Sequence, residues 1–138
     1  KHYGSANMQA TQKAATAKGV VWLAVNSTDA RHVDYKPPAA MAAWMKSQGA
    51  AATATLLDAD GRLGRAYGAR TTPHMYVIDA RGTLVYAGGI DDKPSANPAD
   101  VKTATNHVNA ALADVLAGRP VAPPATRPYA CSLKAADG

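Results

Sequence analysis

The residue types that could carry chemistry are few. The chain has a single cysteine, Cys131, and four histidines, which are His2, His32, His74 and His107. A lone thiol cannot complete thiol–disulfide exchange by itself, because a mixed disulfide needs a second sulfur to resolve it. Zinc modules built on several cysteines are excluded, and no two histidines stand three or four residues apart. The sequence therefore predicts no metal site and no cofactor.

A second candidate feature is Thr71-Thr72-Pro73-His74, which directly precedes the clearest predicted strand, residues 75–79. A proline is tolerated where a strand begins, since its missing N–H is least needed there. Residues 80–82 read as a hairpin loop and residues 83–88 as the returning strand. On periodicity alone, the segment is a loop that enters a hairpin.

The elements that must position these residues alternate between helix and strand, which favours the α/β class. Helices are predicted over residues 3–18, 38–48, 62–67 and 100–117, and strands over 20–25, 53–57, 75–79 and 83–88. The last helix should turn these residues inward: Val101, Val108, Ala111, Leu112, Val115 and Leu116. We expect one domain over residues 1–117 and a Pro-rich, extended or partly disordered tail over residues 118–138.

Composition and charge exclude several classes of function. A chain of 138 residues and 14.2 kDa is the size of one domain. The net charge is +5, but the basic residues are dispersed, and the nearest cluster (Arg62, Arg65 and Arg70) has no interleaved aromatic residues. No apolar run reaches the roughly 20 residues of a membrane-spanning helix. We therefore expect neither a nucleic-acid partner nor a membrane partner.

The segment from Arg70 to Asp79, with Arg81-Gly82-Thr83-Leu84-Val85-Tyr86, closely resembles the Thr-Pro loop and hairpin of thioredoxin-like redoxins. Further stretches look like a bacterial branch of the peroxiredoxin-like (AhpC/TSA, redoxin) family, so that the resemblance covers nearly the whole chain. These are His2-Tyr3-Gly4, Asn7-Met8-Gln9, Gly19-Val20-Val21-Trp22-Leu23, Gly64-Arg65-Ala66-Tyr67-Gly68, Ile90-Asp91-Asp92-Lys93-Pro94, Arg127-Pro128-Tyr129 and Cys131-Ser132.

The resemblance implies a thioredoxin-like α/β fold, with a central mixed β-sheet flanked by helices on both faces. It also implies that Pro73 is cis and faces the active-site cysteine. In this branch the redox nucleophile is a cysteine at the start of the first long helix, where the helix terminus lowers the thiol pKa. That position falls before Lys1, so we expect the chain to be truncated at its N-terminus.

The function implied for the intact protein is a thiol-dependent oxidoreductase that reduces peroxide or exchanges thiols with disulfides. Its partners would be peroxide or a protein or small-molecule thiol–disulfide, and it would be a monomer or homodimer. Thr72 and Pro73 would shape the substrate groove and Cys131 would be the resolving cysteine. His74 would lie near the redox site, in the substrate groove. The resemblance also favours a bacterial, periplasmic or secreted location.

Other interpretations stay open. Cys131 can equally be an idle or structural thiol, and His74 a partly exposed residue at the start of a strand. The missing nucleophile favours a non-catalytic thioredoxin-like binding module that holds an extended segment by backbone pairing. A copper-handling protein that uses His74 and Cys131 is a weaker alternative.

Overall fold

The computed structural model describes residues 1–136, and the chain divides into two units. Unit 1 comprises residues 1–70 together with the chain from Ser132 onward, and unit 2 comprises Thr71–Cys131. The predicted alternation of helix and strand is present. Among the described residues, no helix is long and apolar enough to cross a membrane.

Unit 1 is built around a parallel pair of strands. Its elements in chain order are α1 (Asn7–Ala17), β1 (Leu23–Asn26), α2 (Pro38–Ser47), β2 (Ala54–Leu57) and α3 (Arg62–Ala66). Strand β1 pairs with β2 in the register Leu23↔Ala54 to Asn26↔Leu57. Helix α2 begins at Pro38, whose fixed φ suits the first helical position.

Helix α1 begins four residues later than predicted, because Ala6 adopts a left-handed conformation with φ of 62°. Its buried face combines Met8 and Ala15 with three polar residues. The fully buried Gln12 donates from its amide to the Tyr3 hydroxyl (3.2 Å) and accepts from the backbone N–H of Ala51 (2.8 Å). Gln9 donates to the Gln48 carbonyl at 2.7 Å. These bonds attach the helix to the chain that follows α2.

Asp58 joins the end of the parallel strands to the start of α3. Its carboxylate accepts from the Ser27 hydroxyl (2.6 Å) and from the backbone N–H groups of Leu63 (3.0 Å) and Gly64 (2.8 Å). Gly64 makes room for this contact, since a β-carbon there would lie 3.1 Å from the Ser27 hydroxyl oxygen. Burial alone raises the pKa of Asp58, but these hydrogen bonds outweigh it and hold the pKa below its ordinary value.

Unit 2 contains the predicted hairpin. Its elements are β3 (Thr71–Thr72), β4 (Met75–Ile78), β5 (Leu84–Gly88), a 3-10 helix (Pro98–Lys102) and α4 (His107–Leu116), and it ends in β6 (Cys131–Ser132), whose second residue belongs to unit 1. Strands β4 and β5 are antiparallel. Helix α4 packs against β4 and buries Val108, Ala111 and Leu112.

The predicted single helix over residues 100–117 is wrong in its first half. A short 3-10 helix ends at Lys102, and α4 begins at His107 because the Asn106 side chain caps the Asn109 N–H at 2.9 Å. Of the residues predicted to face inward, Val101 is only half-buried and Leu116 is 50% exposed.

Part of the Pro-rich segment after α4 forms hydrogen bonds with β5. Ala125 pairs in parallel with Ala87: the Ala87 N–H donates to the Pro124 carbonyl (3.1 Å), and the Thr126 N–H donates to the Ala87 carbonyl (3.2 Å). The Tyr86 hydroxyl, which is almost fully buried, lies 2.5 Å from the Thr126 hydroxyl. A β-carbon at Gly88 would overlap Thr126, so glycine permits this close approach.

A second anchor of the same segment is Tyr129, whose hydroxyl donates to the Asp91 carboxylate at 2.6 Å. Asp91 is 3% exposed and also accepts from the Lys93 N–H at 3.0 Å. Burial raises the pKa of Tyr129, and the hydrogen bond to Asp91 raises it further. The phenol therefore stays protonated and remains the donor in this pair.

The predicted central mixed sheet differs from the observed pairing. Over residues 1–136, the strands form three two-stranded sheets, β1–β2, β3–β6 and β4–β5. The parallel pair lies in unit 1 and the antiparallel pair in unit 2, so both pairing types of a mixed sheet are present without one continuous ladder.

Asp58→Asn should destabilise unit 1 by about 1–3 kcal/mol at neutral pH, since an amide cannot accept from all three donors. The folded-state pKa of Asp58 lies below its ordinary value of 3.8, so its stabilisation is present above that value. It is lost as the pH falls through the folded-state pKa. The difference in the free energy of urea unfolding between Asp58→Asn and wild type should therefore become smaller in acid. Asp34→Asn, at an exposed carboxylate, is the control; an equal effect there would contradict the assignment.

Tyr129→Phe should lower the free energy of unfolding by about 1–3 kcal/mol, because it removes a donor to the buried Asp91 carboxylate. The folded-state pKa of Tyr129 lies above its ordinary value of 10.0, so its contribution is full below pH 10 and is lost at higher pH. The free energy of unfolding, measured with denaturant, should therefore differ less between variant and wild type above pH 10 than at pH 7. Tyr35→Phe is the matched control, and a pH-independent gap would refute this origin.

Candidate functional site

The Thr-Pro loop lies between β3 and β4. The Thr72–Pro73 peptide bond is cis. The Thr71 hydroxyl donates to the Pro73 carbonyl at 2.8 Å, which ties the first strand residue to the loop. Thr72 is exposed and Pro73 is half-buried, so the loop presents a surface that a substrate can reach. The segment predicted as a loop thus includes a two-residue strand.

His74 follows the proline and enters β4. Its ring stacks on Tyr76, with centroids 4.7 Å apart and planes 16° from parallel. The side chain is half-buried, and the ring that it contacts lies two residues further along the chain, on β4. The stack therefore limits the directions in which the ring nitrogens can point.

The predicted resolving residue, Cys131, begins strand β6, which pairs with β3. The strand that carries the thiol is therefore hydrogen-bonded to the strand that ends in Thr72. The thiol is free and exposed. The preceding residue, Ala130, has φ of 100°, a conformation that L residues rarely adopt and that costs about 1–3 kcal/mol. The structure thus brings Thr72, Pro73 and Cys131 into one region of unit 2, with His74 directly adjoining.

Metal ligands do not gather at this site. Within residues 1–136, no group of three or more His, Cys, Asp or Glu side chains is placed to hold a metal ion. A copper site on His74 and Cys131 would therefore need ligands from elsewhere.

A cavity of about 610 Å³ borders the site. Thr71 and Ala130, the sequence neighbours of Thr72 and Cys131, contribute to its wall. The remaining wall is polar and charged at several points, and its residues include Asp91, Asp92, His107, Thr126, Arg127 and Tyr129. The cavity therefore combines carboxylates and a guanidinium in one concave surface of unit 2.

Sequence reasoning assigned no role to these wall residues, although it quoted Ile90-Asp91-Asp92 and Arg127-Pro128-Tyr129 as parts of the resemblance. The available signal was chemical: two adjacent carboxylates follow the hairpin, and an arginine and a tyrosine interrupt a Pro-rich tail. Periodicity does not show that the tail returns to β5. Without that return, nothing in the sequence brings the two carboxylates close to the arginine and tyrosine of the tail.

Comparisons with known proteins give one matching family and two similar solved structures. The Redoxin family model matches residues 3–107. An uncharacterized conserved protein from Geobacillus kaustophilus is similar in structure, with a TM-score of 0.80 and 28% identity over 94% of this chain and 67% of that chain. A hypothetical protein from Sinorhizobium meliloti 1021 has a TM-score of 0.69 and 26% identity, over 94% of this chain and 73% of that one. No curated protein matches.

The family match covers well over half of the chain, and both structural neighbours extend the likeness to 94% of it. Neither neighbour has an assigned activity, so they support the fold. The family suggests thioredoxin-like redox function in general, with thiol-based partners. The predicted resemblance and the predicted fold class are both confirmed: the chain belongs to the Redoxin family and has its thioredoxin-like α/β fold.

Proposed function

We propose that the intact protein is a thiol-dependent oxidoreductase that reduces peroxide or exchanges thiols with disulfides, with Cys131 as its resolving cysteine. The observation that carries this proposal is the pairing of β6 with β3, because it places an exposed thiol on the strand next to the Thr72–Pro73 loop. Membership of the Redoxin family supports a thiol-based reaction at that loop.

The reaction needs two sulfurs, and the 138 residues contain one. A nucleophilic thiolate from outside these residues attacks the peroxide: an S–O bond forms, the O–O bond breaks, and the leaving oxygen takes up a proton. Cys131 then attacks the oxidised sulfur, forming an S–S bond and releasing water. With a disulfide substrate, the nucleophile attacks one sulfur of the S–S bond, which breaks and releases the other sulfur as a thiol. Cys131 then attacks the resulting mixed disulfide and displaces the remaining substrate sulfur as a second thiol. Two external thiols, or one dithiol, reduce the internal disulfide to two cysteines and are themselves oxidised to a disulfide.

Thr72 and Pro73 are positioning residues in this scheme. They form the surface beside the thiol, and the Thr72 backbone offers polar groups to an extended substrate. His74 lies one residue further on, where a protonated imidazole would favour a nearby thiolate over the thiol. Its stack on Tyr76 holds the ring at this end of β4.

The remaining expectations are part of the same proposal. A disulfide between Cys131 and the nucleophile would persist best in an oxidising compartment, which favours a periplasmic or secreted location. We expect a monomer or homodimer. Neither a nucleic acid nor a membrane is among the expected partners.

A non-catalytic binding module is the second candidate, and the single cysteine favours it. In that case the surface around Thr72 and Pro73 would hold a partner's extended segment through backbone hydrogen bonds. Alkylating every thiol of the natural protein separates the two candidates. Alkylation abolishes the function of an oxidoreductase and leaves backbone-mediated binding intact.

Cys131→Ser should lower steady-state turnover at least about tenfold, because the oxidised nucleophile can no longer be resolved within the protein. We would express the protein from its natural gene and follow the consumption of hydrogen peroxide and of a small aromatic disulfide. Intact mass with and without reductant should show an internal disulfide in wild type, and an oxidised or mixed-disulfide nucleophile in Cys131→Ser.

Ser132→Ala, on the same short strand, is the matched control and should retain wild-type turnover. Two results would contradict the proposal. In one, the wild-type protein consumes neither substrate. In the other, Cys131→Ser turns over as fast as wild type, which would make Cys131 an idle thiol.

A further inference from the structure

We propose that the cavity of unit 2 binds a small zwitterion, an amino acid or short peptide, with its ammonium group at Asp92 and its carboxylate at Arg127. This inference does not rest on the proposed redox function, because the binding involves no thiol.

The cavity is large enough for such a ligand. A volume of about 610 Å³ lies within the range of small-molecule sites, about 300–1,000 Å³. The residues that enclose it come from separate parts of unit 2: β3, the loop after β5, the start of α4 and the tail segment 126–130. Convergence of distant segments on one concavity is typical of a ligand site.

Charged residues of both signs line this cavity. Asp92 is exposed and the buried Asp91 lies in the wall beside it, whereas the exposed Arg127 lines the cavity from the tail. Within residues 1–136, the Arg127 side chain forms no hydrogen bond or ion pair with the protein, so its donors are open to a ligand. A guanidinium binds a carboxylate through two parallel hydrogen bonds, and a carboxylate is the natural acceptor for an ammonium group.

The same charges disfavour simpler ligands. A nucleotide or another multiply charged anion would be repelled by Asp91 and Asp92. A simple cation would be repelled by Arg127, and no described cluster of side chains can chelate a metal there. A ligand that carries both charges satisfies both ends of the cavity.

The backbone around the charged groups is held in place before any ligand arrives. Asp92 pairs with Thr105 in both directions: its N–H donates to the Thr105 carbonyl (3.2 Å), and its carboxylate accepts from the Thr105 N–H (2.8 Å). Arg127 lies between Thr126 and the buried Pro128. The Thr126 hydroxyl accepts a hydrogen bond from the Gly89 N–H at 3.0 Å. A fixed backbone reduces the ordering cost of binding.

Calorimetry on the full-length protein at low salt would test the site with glycine, diglycine and triglycine, which differ in the separation of their charges. At least one should bind. N-acetyldiglycine, which lacks the ammonium group, and diglycinamide, which lacks the carboxylate, should each bind at least about tenfold more weakly than diglycine.

Single substitutions test which residue binds each charged group of the ligand. Arg127→Gln and Asp92→Asn should each weaken binding of the best zwitterion at least about tenfold. Asn keeps an oxygen that can accept from Thr105, so Asp92→Asn should preserve the fold. Arg81→Gln and Asp34→Asn change exposed charges outside the cavity and should leave the affinity within about twofold of wild type. Thermal unfolding would verify that all four variants are folded.

The proposal is overturned if none of the three zwitterions binds, if the capped peptides bind as tightly as diglycine, or if the cavity variants behave like the controls. Cys131→Ser should bind the zwitterion as wild type does. Peptide binding and redox turnover can therefore fail independently of each other.

Discussion

The attachment of the Pro-rich tail to the β4–β5 hairpin is the constraint on which the site depends. A segment with prolines at 120, 123, 124 and 128 cannot form a helix or a central strand, because the missing N–H groups interrupt either ladder. Its conformation must therefore come from external anchors. Backbone bonds to Ala87, the Tyr86–Thr126 contact and the Tyr129–Asp91 bond supply them.

The anchored segment includes two unfavourable features, which its hydrogen bonds must outweigh. Asp91 is buried, and a buried carboxylate is unfavourable unless it is hydrogen-bonded. Ala130 has a positive φ, which a non-glycine residue adopts only when its surroundings enforce it. The unfavourable conformation falls on the residue between Tyr129, the last anchor, and Cys131, the thiol. We interpret it as the turn that lets the chain leave the anchor and pair with β3.

Sequence reasoning captured what depends on local pattern. The hairpin after His74 and helix α2 follow from alternation and from proline placement, and the Thr72–Pro73 motif led to the correct family. It missed features that depend on single side-chain contacts, such as the Asn106 cap that begins α4 and the left-handed Ala6 that delays α1. The cavity was not predictable, because its wall joins Asp92 to Arg127, 35 positions apart in the sequence, through a tail without a periodic pattern.

The Cys131 thiol and the cavity are formed by neighbouring residues of the chain. Thr71 and Ala130 line the cavity, and each directly precedes a residue of the proposed redox site in the chain. A ligand that orders the cavity wall would also restrict the backbone on both strands of the β3–β6 ladder. The two proposed activities therefore use different chemical groups, although their residues are neighbours along the β3–β6 ladder.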